Sequence, residues 1–289
     1  MPPSARNLYQ VVDDRQGHSD ERRPRPVSGG APQRGPRTER EVHWSGPGRA
    51  RPVQPHATPA GGDRGDRCAQ DGPAIPPGVD ARQLAPEIRR ELSTLDRATA
   101  DTVARHLVAA GELLDEDPEA ALSHARAARA RSSRIAAIRE AVGIAAYHCG
   151  DWAQALAELR AARRMGSKSS LLALIADCER GLGRPERAIE LARGPEAAQL
   201  SGDDADELRI VAAGARADLG QLEQALTVLS TPQLDPGRTG STAARLFYAY
   251  AETLLSLGRD DEALQWFLHS AAADIEGVTD AEERVSELG

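Results

Sequence analysis

The sequence predicts an all-α protein in which about five pairs of helices follow one another along the chain. A recurring sequence motif supports this prediction: a glycine is followed five residues later by alanine and then by Leu or Ile. It occurs four times, first at 150–156, and a weaker copy without the glycine lies at 116–122. Successive alanines of this motif are 34, 33, 37 and 38 residues apart, at Ala121, Ala155, Ala188, Ala225 and Ala263. A period near 34 is typical of units built from two helices and a turn.

Charge is distributed unevenly along the chain. Residues 1–79 carry twelve Arg and nine Asp or Glu, whereas residues 80–289 carry 24 basic and 35 acidic residues. An acidic surface repels the phosphate backbone of nucleic acids. We therefore do not expect residues 80–289 to bind nucleic acid in a general way.

The first 78 residues are rich in arginine, proline and glycine. They contain 13 of the 19 prolines and 11 of the 26 glycines, and such a composition buries too little apolar surface to offset the entropy lost on folding. We predict a disordered low-complexity segment at 1–78 and a helical repeat domain at 79–289. Within the segment, 33–37 and 61–67 resemble Arg-Gly tracts that bind RNA, although a solvated tail is the alternative.

Helical periodicity, capping residues, proline and glycine set the bounds of the predicted helices. A short helix at 85–95 is expected to cap the first pair, as repeat arrays require. The five pairs are predicted at 98–114 with 118–130, 133–149 with 152–164, 169–181 with 185–192, 205–219 with 222–229, and 241–257 with 261–273. Loops at 195–204 and 231–240 account for the longer spacings.

A last short helix is predicted to end near Leu288. Thr279 and Glu282 have the spacing of a capping box, which opens a helix by satisfying its first backbone N–H groups. This helix is expected to shield the apolar side of the fifth pair, where Trp266 and Phe267 lie.

The repeated glycines and alanines resemble the pattern of the tetratricopeptide repeat family. In that family, small residues let the two helices of a pair approach, and large residues fill the gaps between helices. The second repeat meets the family pattern at Gly143, Gly150, Ala155, Leu159 and Ala162. Later repeats meet it at Ala176, Gly183, Ala188 and Ala192, at Ala213, Gly220, Ala225 and Leu229, and at Ala251, Gly258, Ala263 and Phe267. The resemblance covers 102–274. The first repeat departs from it, with Ala109 in place of glycine and Glu116 at the turn. The layout is also similar to uncharacterised actinobacterial tetratricopeptide proteins with an Arg/Gly/Pro-rich N-terminal segment.

The resemblance implies a right-handed α-solenoid with capping helices at both ends, in which the first helix of each pair lines a concave groove. The family's groove positions fall on Glu140, Tyr147, Asp177, Arg180, Arg245, Tyr248 and Glu252. Here the two tyrosines are expected to anchor a peptide and the two arginines to receive its acidic groups. Alternatively, these charges pair with one another across repeats. Family members that clamp a C-terminal carboxylate use Lys and Asn at groove positions, and neither residue stands there in this chain.

Catalytic and metal-binding patterns are absent from the sequence. It contains no glycine-rich phosphate loop and no His or Cys pairs at metal-ligand spacing. His106, His124 and His269 are expected to be isolated residues. No catalytic set follows from the spacing, so the sequence predicts a non-enzyme with no cofactor and no metal.

Cysteine usage and hydropathy bear on location. Cys68, Cys149 and Cys178 form no paired spacing, which suits a reducing compartment, and the latter two are expected to be core thiols. The N-terminal residues lead into no apolar signal-peptide core, and no apolar run is long enough for a membrane span. The sequence thus predicts a cytoplasmic protein.

The leading functional hypothesis is a non-catalytic scaffold that binds a peptide or protein partner in the concave groove. A second hypothesis is an RNA-associated adaptor whose Arg/Gly-rich N-terminal segment contacts nucleic acid. A third is a homo-oligomer that buries its terminal repeat through Trp266 and Phe267.

Overall fold

A computed structural model describes residues 72–167 and 170–289, and all regular structure in this part of the chain is helical. Its α-helices are α1 (Pro86–Leu92), α2 (Arg97–Glu112), α3 (Pro118–Arg131), α4 (Ala136–His148), α5 (Trp152–Arg164), α6 (Leu172–Gly181), α7 (Pro185–Ala192), α8 (Gly202–Asp218), α9 (Leu222–Leu229), α10 (Ser241–Ser256), α11 (Asp260–Ala273) and α12 (Ala281–Leu288). Short 3₁₀ turns lie at Ala81–Gln83 and Ala197–Gln199. Residues 1–71, which make up most of the segment predicted to be disordered, lie outside the described part, as does Ser169, the predicted start of a helix.

The recurring alanines lie in the core. The side chains of Ala121, Ala155, Ala188, Ala225 and Ala263 are all 0% exposed. No strand is present in 72–167 or 170–289. For these residues, the prediction of an all-α protein that buries the recurring alanines is therefore confirmed.

The turn between α4 and α5 shows why these hairpins carry glycine. Gly150 has φ = 71°, a left-handed conformation that costs little only in glycine. In this geometry the N–H of Asp151 donates to the carbonyl of Ala146 at 2.9 Å, which satisfies an acceptor at the end of α4. The same bond closes the turns at Gly183, Gly220 and Gly258, whose φ values are 73°, 71° and 74°.

Side-chain caps and proline start several of the helices. The carboxylates of Asp96, Asp117 and Asp151 accept backbone N–H groups at the starts of α2, α3 and α5. Proline stands in the first turn of α1, α3 and α7, where its missing N–H leaves no bond unmade.

Each helix packs against the next along the chain. We refer to α2, α4, α6, α8 and α10, which correspond to the predicted first members of the five pairs, as the first helices. The first helices also contact one another: α2 contacts α4, α6 contacts α8, and α8 contacts α10. One cluster of buried apolar residues runs from Leu84 to Cys178, whereas the residues beyond it form several smaller clusters.

Both ends of the helical region are covered by short helices. At the N-terminal end α1 is shorter than predicted, but it buries Ile88 and Leu92 against the first pair, and Leu95 packs against the same core from the following turn. At the C-terminal end α12 packs on α11 and covers Phe267, which is 0% exposed. The hypothesis of self-association through Trp266 and Phe267 is therefore wrong for Phe267, because the chain's own last helix occupies that face.

Two local predictions are wrong. Thr279 does not cap α12, because its hydroxyl donates to Asp274 at 2.7 Å and its backbone N–H donates to the same carboxylate. A capping box is found instead at Asp80 and Gln83. The predicted loop at 195–204 contains a 3₁₀ turn, and α8 begins within it, at Gly202.

Candidate functional site

A line of polar contacts joins three of the first helices. The hydroxyl of Tyr147 on α4 donates to Asp177 on α6 at 2.5 Å. Arg180, one turn further along α6, donates to Asp177 at 2.7 Å and to Asp218, at the end of α8, at 2.8 Å. We call Tyr147, Asp177, Arg180 and Asp218 the polar line.

Burial strengthens the electrostatic interactions between the residues of the polar line. The side chains of Asp177 and Arg180 are only 19% and 15% exposed, so water screens their charges weakly. Burial and the Asp177 carboxylate raise the pKa of Tyr147 well above its ordinary value, which keeps its hydroxyl protonated as a donor. Burial lowers the pKa of Arg180, but its contacts with Asp218 and Asp177 outweigh this effect and leave the pKa raised.

A second contact joins α8 to α10. Arg245 donates to Glu207 at 2.8 Å, and Glu207 is 5% exposed as a side chain. Burial raises the pKa of this carboxyl, although the charge of Arg245 opposes the rise. The charge of Arg245 opposes the rise in the pKa of Tyr147, but burial and Asp177 outweigh it.

The remaining predicted groove residues have other partners. Tyr248 packs edge-on against Phe267 with ring centroids 5.3 Å apart, and Glu252 pairs with Arg284 of α12 at 2.9 Å. Near the other end, Glu140 accepts the hydroxyl of Ser167 at 2.7 Å.

The structure thus brings Tyr147, Asp177 and Arg180 together, but it places Tyr248 and Glu252 against α12. The arginines predicted to receive a peptide's acidic groups are paired with acids of neighbouring first helices, which was the stated alternative. The partners Asp218 and Glu207 each lie 38 residues from their arginine. This separation is close to the repeat spacing, and it could have predicted from the sequence which acid pairs with each arginine.

The structure contains a buried pair of histidines that the spacing of residues did not predict. His106 on α2 and His124 on α3 are 1% and 3% exposed, and their rings lie with centroids 5.3 Å apart. The expectation that each is isolated is wrong. Because α2 and α3 form a hairpin, positions equally far from its turn near Asp115 face each other, and this relation pairs 106 with 124.

Two clefts open beside α7. The first, of about 620 Å³, lies between α5, α6 and α7 and carries four arginines. All four have acidic partners in its lining: Arg160 and Arg184 contact Glu179, Arg163 contacts Glu196, and Arg187 contacts Glu190. The second, of about 320 Å³, lies between α7 and α8.

In comparisons with known proteins, no family model matches the chain and no curated protein is significantly similar to it.

Within 72–167 and 170–289, no group of three or more His, Cys, Asp or Glu side chains is arranged to hold a metal ion. None of the helices in these ranges combines the length and apolar character needed to cross a bilayer. Cys178 is buried and burial raises the pKa of its thiol, as expected of a core cysteine, while Cys149 is half-buried and donates to the carbonyl of Pro118.

Proposed function

We propose that this chain is a non-catalytic protein-interaction scaffold of the tetratricopeptide type, in which about five helix pairs form a right-handed solenoid. A peptide or protein partner would bind across the first helices, along the polar line and toward Arg245.

The observation that carries this proposal is the polar line itself. Tyr147, Asp177, Arg180 and Asp218 come from three successive first helices and make continuous contact. Arg245, on the first helix of the next pair, extends this row of contacts by donating to Glu207 of α8 at 2.8 Å.

The polar line is suited to recognising an acidic segment. Its arginine is held in place by two carboxylates, so little side-chain entropy remains to be lost on binding. Asp218 is 29% exposed and is thus more accessible than Asp177. An acidic side chain of a partner would replace Asp218 as the partner of Arg180, and a bidentate contact would be favoured there.

Selection of peptides on the purified full-length chain tests the proposal. We expect acidic peptides to be enriched and to bind Asp218→Ala about tenfold more tightly, because Arg180 is then released from its internal partner. The Arg180→Gln variant should bind them about tenfold more weakly. The matched control is Glu190→Ala, which breaks the exposed pair with Arg187 on α7 and should leave binding unchanged.

Two outcomes would count against the proposal. One is that no peptide is enriched by the chain. The other is that the enriched peptides respond to Glu190→Ala as strongly as to Arg180→Gln, since binding would then lie away from the first helices.

A further inference from the structure

The smaller cleft has apolar walls that its own side chains do not fill. One wall is a stripe of α8 formed by Ala205, Leu208 and Ala212, and Ile189 and Ala192 of α7 face it. Alanine fills little space, and α7 ends at Ala192, shortly before Gly194 and Pro195. The gap between the two helices therefore stays open as a cleft of about 320 Å³, which we call the α7–α8 cleft.

The polar groups of the α7–α8 cleft are all cationic. Arg193, Arg209 and Arg216 line it, and none of its lining residues is acidic. Arg209 is engaged elsewhere, because it pairs with Asp206 at 2.6 Å and donates to the carbonyl groups of Leu229 and Pro232. This leaves Arg193 and Arg216 as the groups available to a bound molecule.

Arg193 and Arg216 both line the cleft, and no acidic residue lines it with them. Arg216 donates to the amide oxygen of Gln221 at 3.0 Å, and Arg193 has no ion pair among the residues described. Burial lowers the pKa of Arg216, and the positive charge of Arg193 lowers it further. Two like charges placed together at a cleft disfavour each other, and an anion bound between them removes this repulsion.

The neighbouring 620 Å³ cleft shows the contrast. It carries more arginines, but each of them is paired with a glutamate of the lining. In the α7–α8 cleft, Arg193 and Arg216 lack an acidic partner in the lining and lie beside apolar side chains.

We propose that the α7–α8 cleft binds a small organic anion, an apolar chain that ends in a carboxylate. The carboxylate lies between Arg193 and Arg216, and the chain lies on Ala205, Leu208 and Ile189. The cleft volume is near the lower end of the roughly 300–1,000 Å³ typical of small-molecule sites, so the ligand is of the size of a medium-chain acid. This inference is independent of the function proposed for the first helices.

Calorimetric titration of the full-length chain with octanoate tests the inference. We expect saturable binding at one site, with octanol and acetate at least about tenfold weaker, because the first lacks the charge and the second lacks the chain. In methyl NMR spectra, the signals of Ile189, Leu208 and Val228, all of which line the cleft, should shift with the same saturation.

Variants separate the charge from the shape of the cleft. Arg193→Gln and Arg216→Gln should each weaken octanoate binding about tenfold. Ala205→Leu should abolish it by filling the cleft while leaving both charges in place. The matched control is Arg187→Gln, an exposed arginine of α7 that lies outside this cleft.

The inference is overturned if octanoate binding does not saturate, if octanol binds as well as octanoate, or if Arg187→Gln weakens binding as much as Arg193→Gln does. Retention of full binding by Ala205→Leu would overturn it as well, since the ligand would then lie elsewhere.

Discussion

The Nδ1 atoms of His106 and His124 lie 3.0 Å apart inside the first helix pair. At this distance one ring nitrogen must carry a hydrogen and donate it, while the other must accept it. Burial lowers the pKa of both imidazoles, and the charges of His124, Arg131 and Arg105 add to the effect of burial at His106, whose pKa falls from 6.5 to about 4. The pair is therefore neutral at pH 7.

We predict that this pair makes the protein less stable in mild acid. Because the pKa of His106 is lower in the folded than in the unfolded chain, the unfolded chain takes up more protons as the pH falls below 6.5. The stabilisation is fully present above pH 6.5 and is lost toward pH 4. Between pH 7 and pH 5, the free energy of unfolding should fall by about 2 kcal/mol from His106 alone.

Urea unfolding at the two pH values measures this loss. The His106→Gln variant has no titrating group at this position, so its stability should change less between pH 7 and pH 5. Equal pH dependence in the variant and the parent chain would show that the histidine pair is not responsible.

Gly143 is predicted to be intolerant of any side chain. A Cβ atom placed there would lie 2.7 Å from Cγ and Cδ2 of Leu159 on the facing helix α5, which is fully buried. Gly143→Ala should lower the free energy of unfolding by about 2 kcal/mol, because the core must shift to admit the methyl group.

A double-mutant cycle with Leu159→Ala tests the cause. If the clash with Leu159 is responsible, the two substitutions should cost at least about 1 kcal/mol less together than the sum of their separate costs. Simple additivity would instead indicate that Gly143→Ala acts on the helix backbone.

Ala155→Asp should destabilise the protein strongly. Ala155 is 0% exposed, and a carboxylate there would be buried between α4 and α5 without a partner. We expect a loss of roughly 4 kcal/mol or more, seen as a fall in the midpoint of thermal unfolding. The control is Ala157→Asp two residues along, where the side chain is exposed and little change is expected.

Glu158 is predicted to contribute more stability than the ion pairs on the surface. It is 6% exposed as a side chain and holds two arginines, Arg129 from α3 and Arg139 from α4. Glu158→Gln leaves both cations without a countercharge, and we expect a loss of about 2 kcal/mol in chemical denaturation. Glu262→Gln removes an exposed i,i+3 pair with Arg259 and should have no measurable effect.

Much of the backbone could be predicted because the responsible signals are local. Buried alanines such as Ala155 and turn glycines such as Gly150 act within one hairpin, and their positions follow from spacing alone. The capping box predicted for α12 does not form, because Thr279 donates instead to the carboxylate of Asp274, five residues before it. A capping motif in the sequence does not exclude a competing acceptor elsewhere in the loop.

The candidate site was harder to predict because its contacts lie between helices. Which acid meets Arg180 depends on how far α8 is displaced along α6, and the irregular repeat lengths hide that displacement. Tyr248 was predicted to line the groove, but it packs in the same apolar cluster as residues of α12. The repeat pattern does not determine the position of a terminal helix such as α12.

The continuous core from Leu84 to Cys178 affects the order in which parts of the molecule unfold. In chains whose units contact mainly their neighbours, local stability follows the local interfaces rather than a global average. The residues after Cys178 are held by several small clusters, so this half should open first and its backbone amides should exchange with solvent sooner. The molecule would then melt as a gradient along its length, with the α7–α8 cleft in the half that opens early.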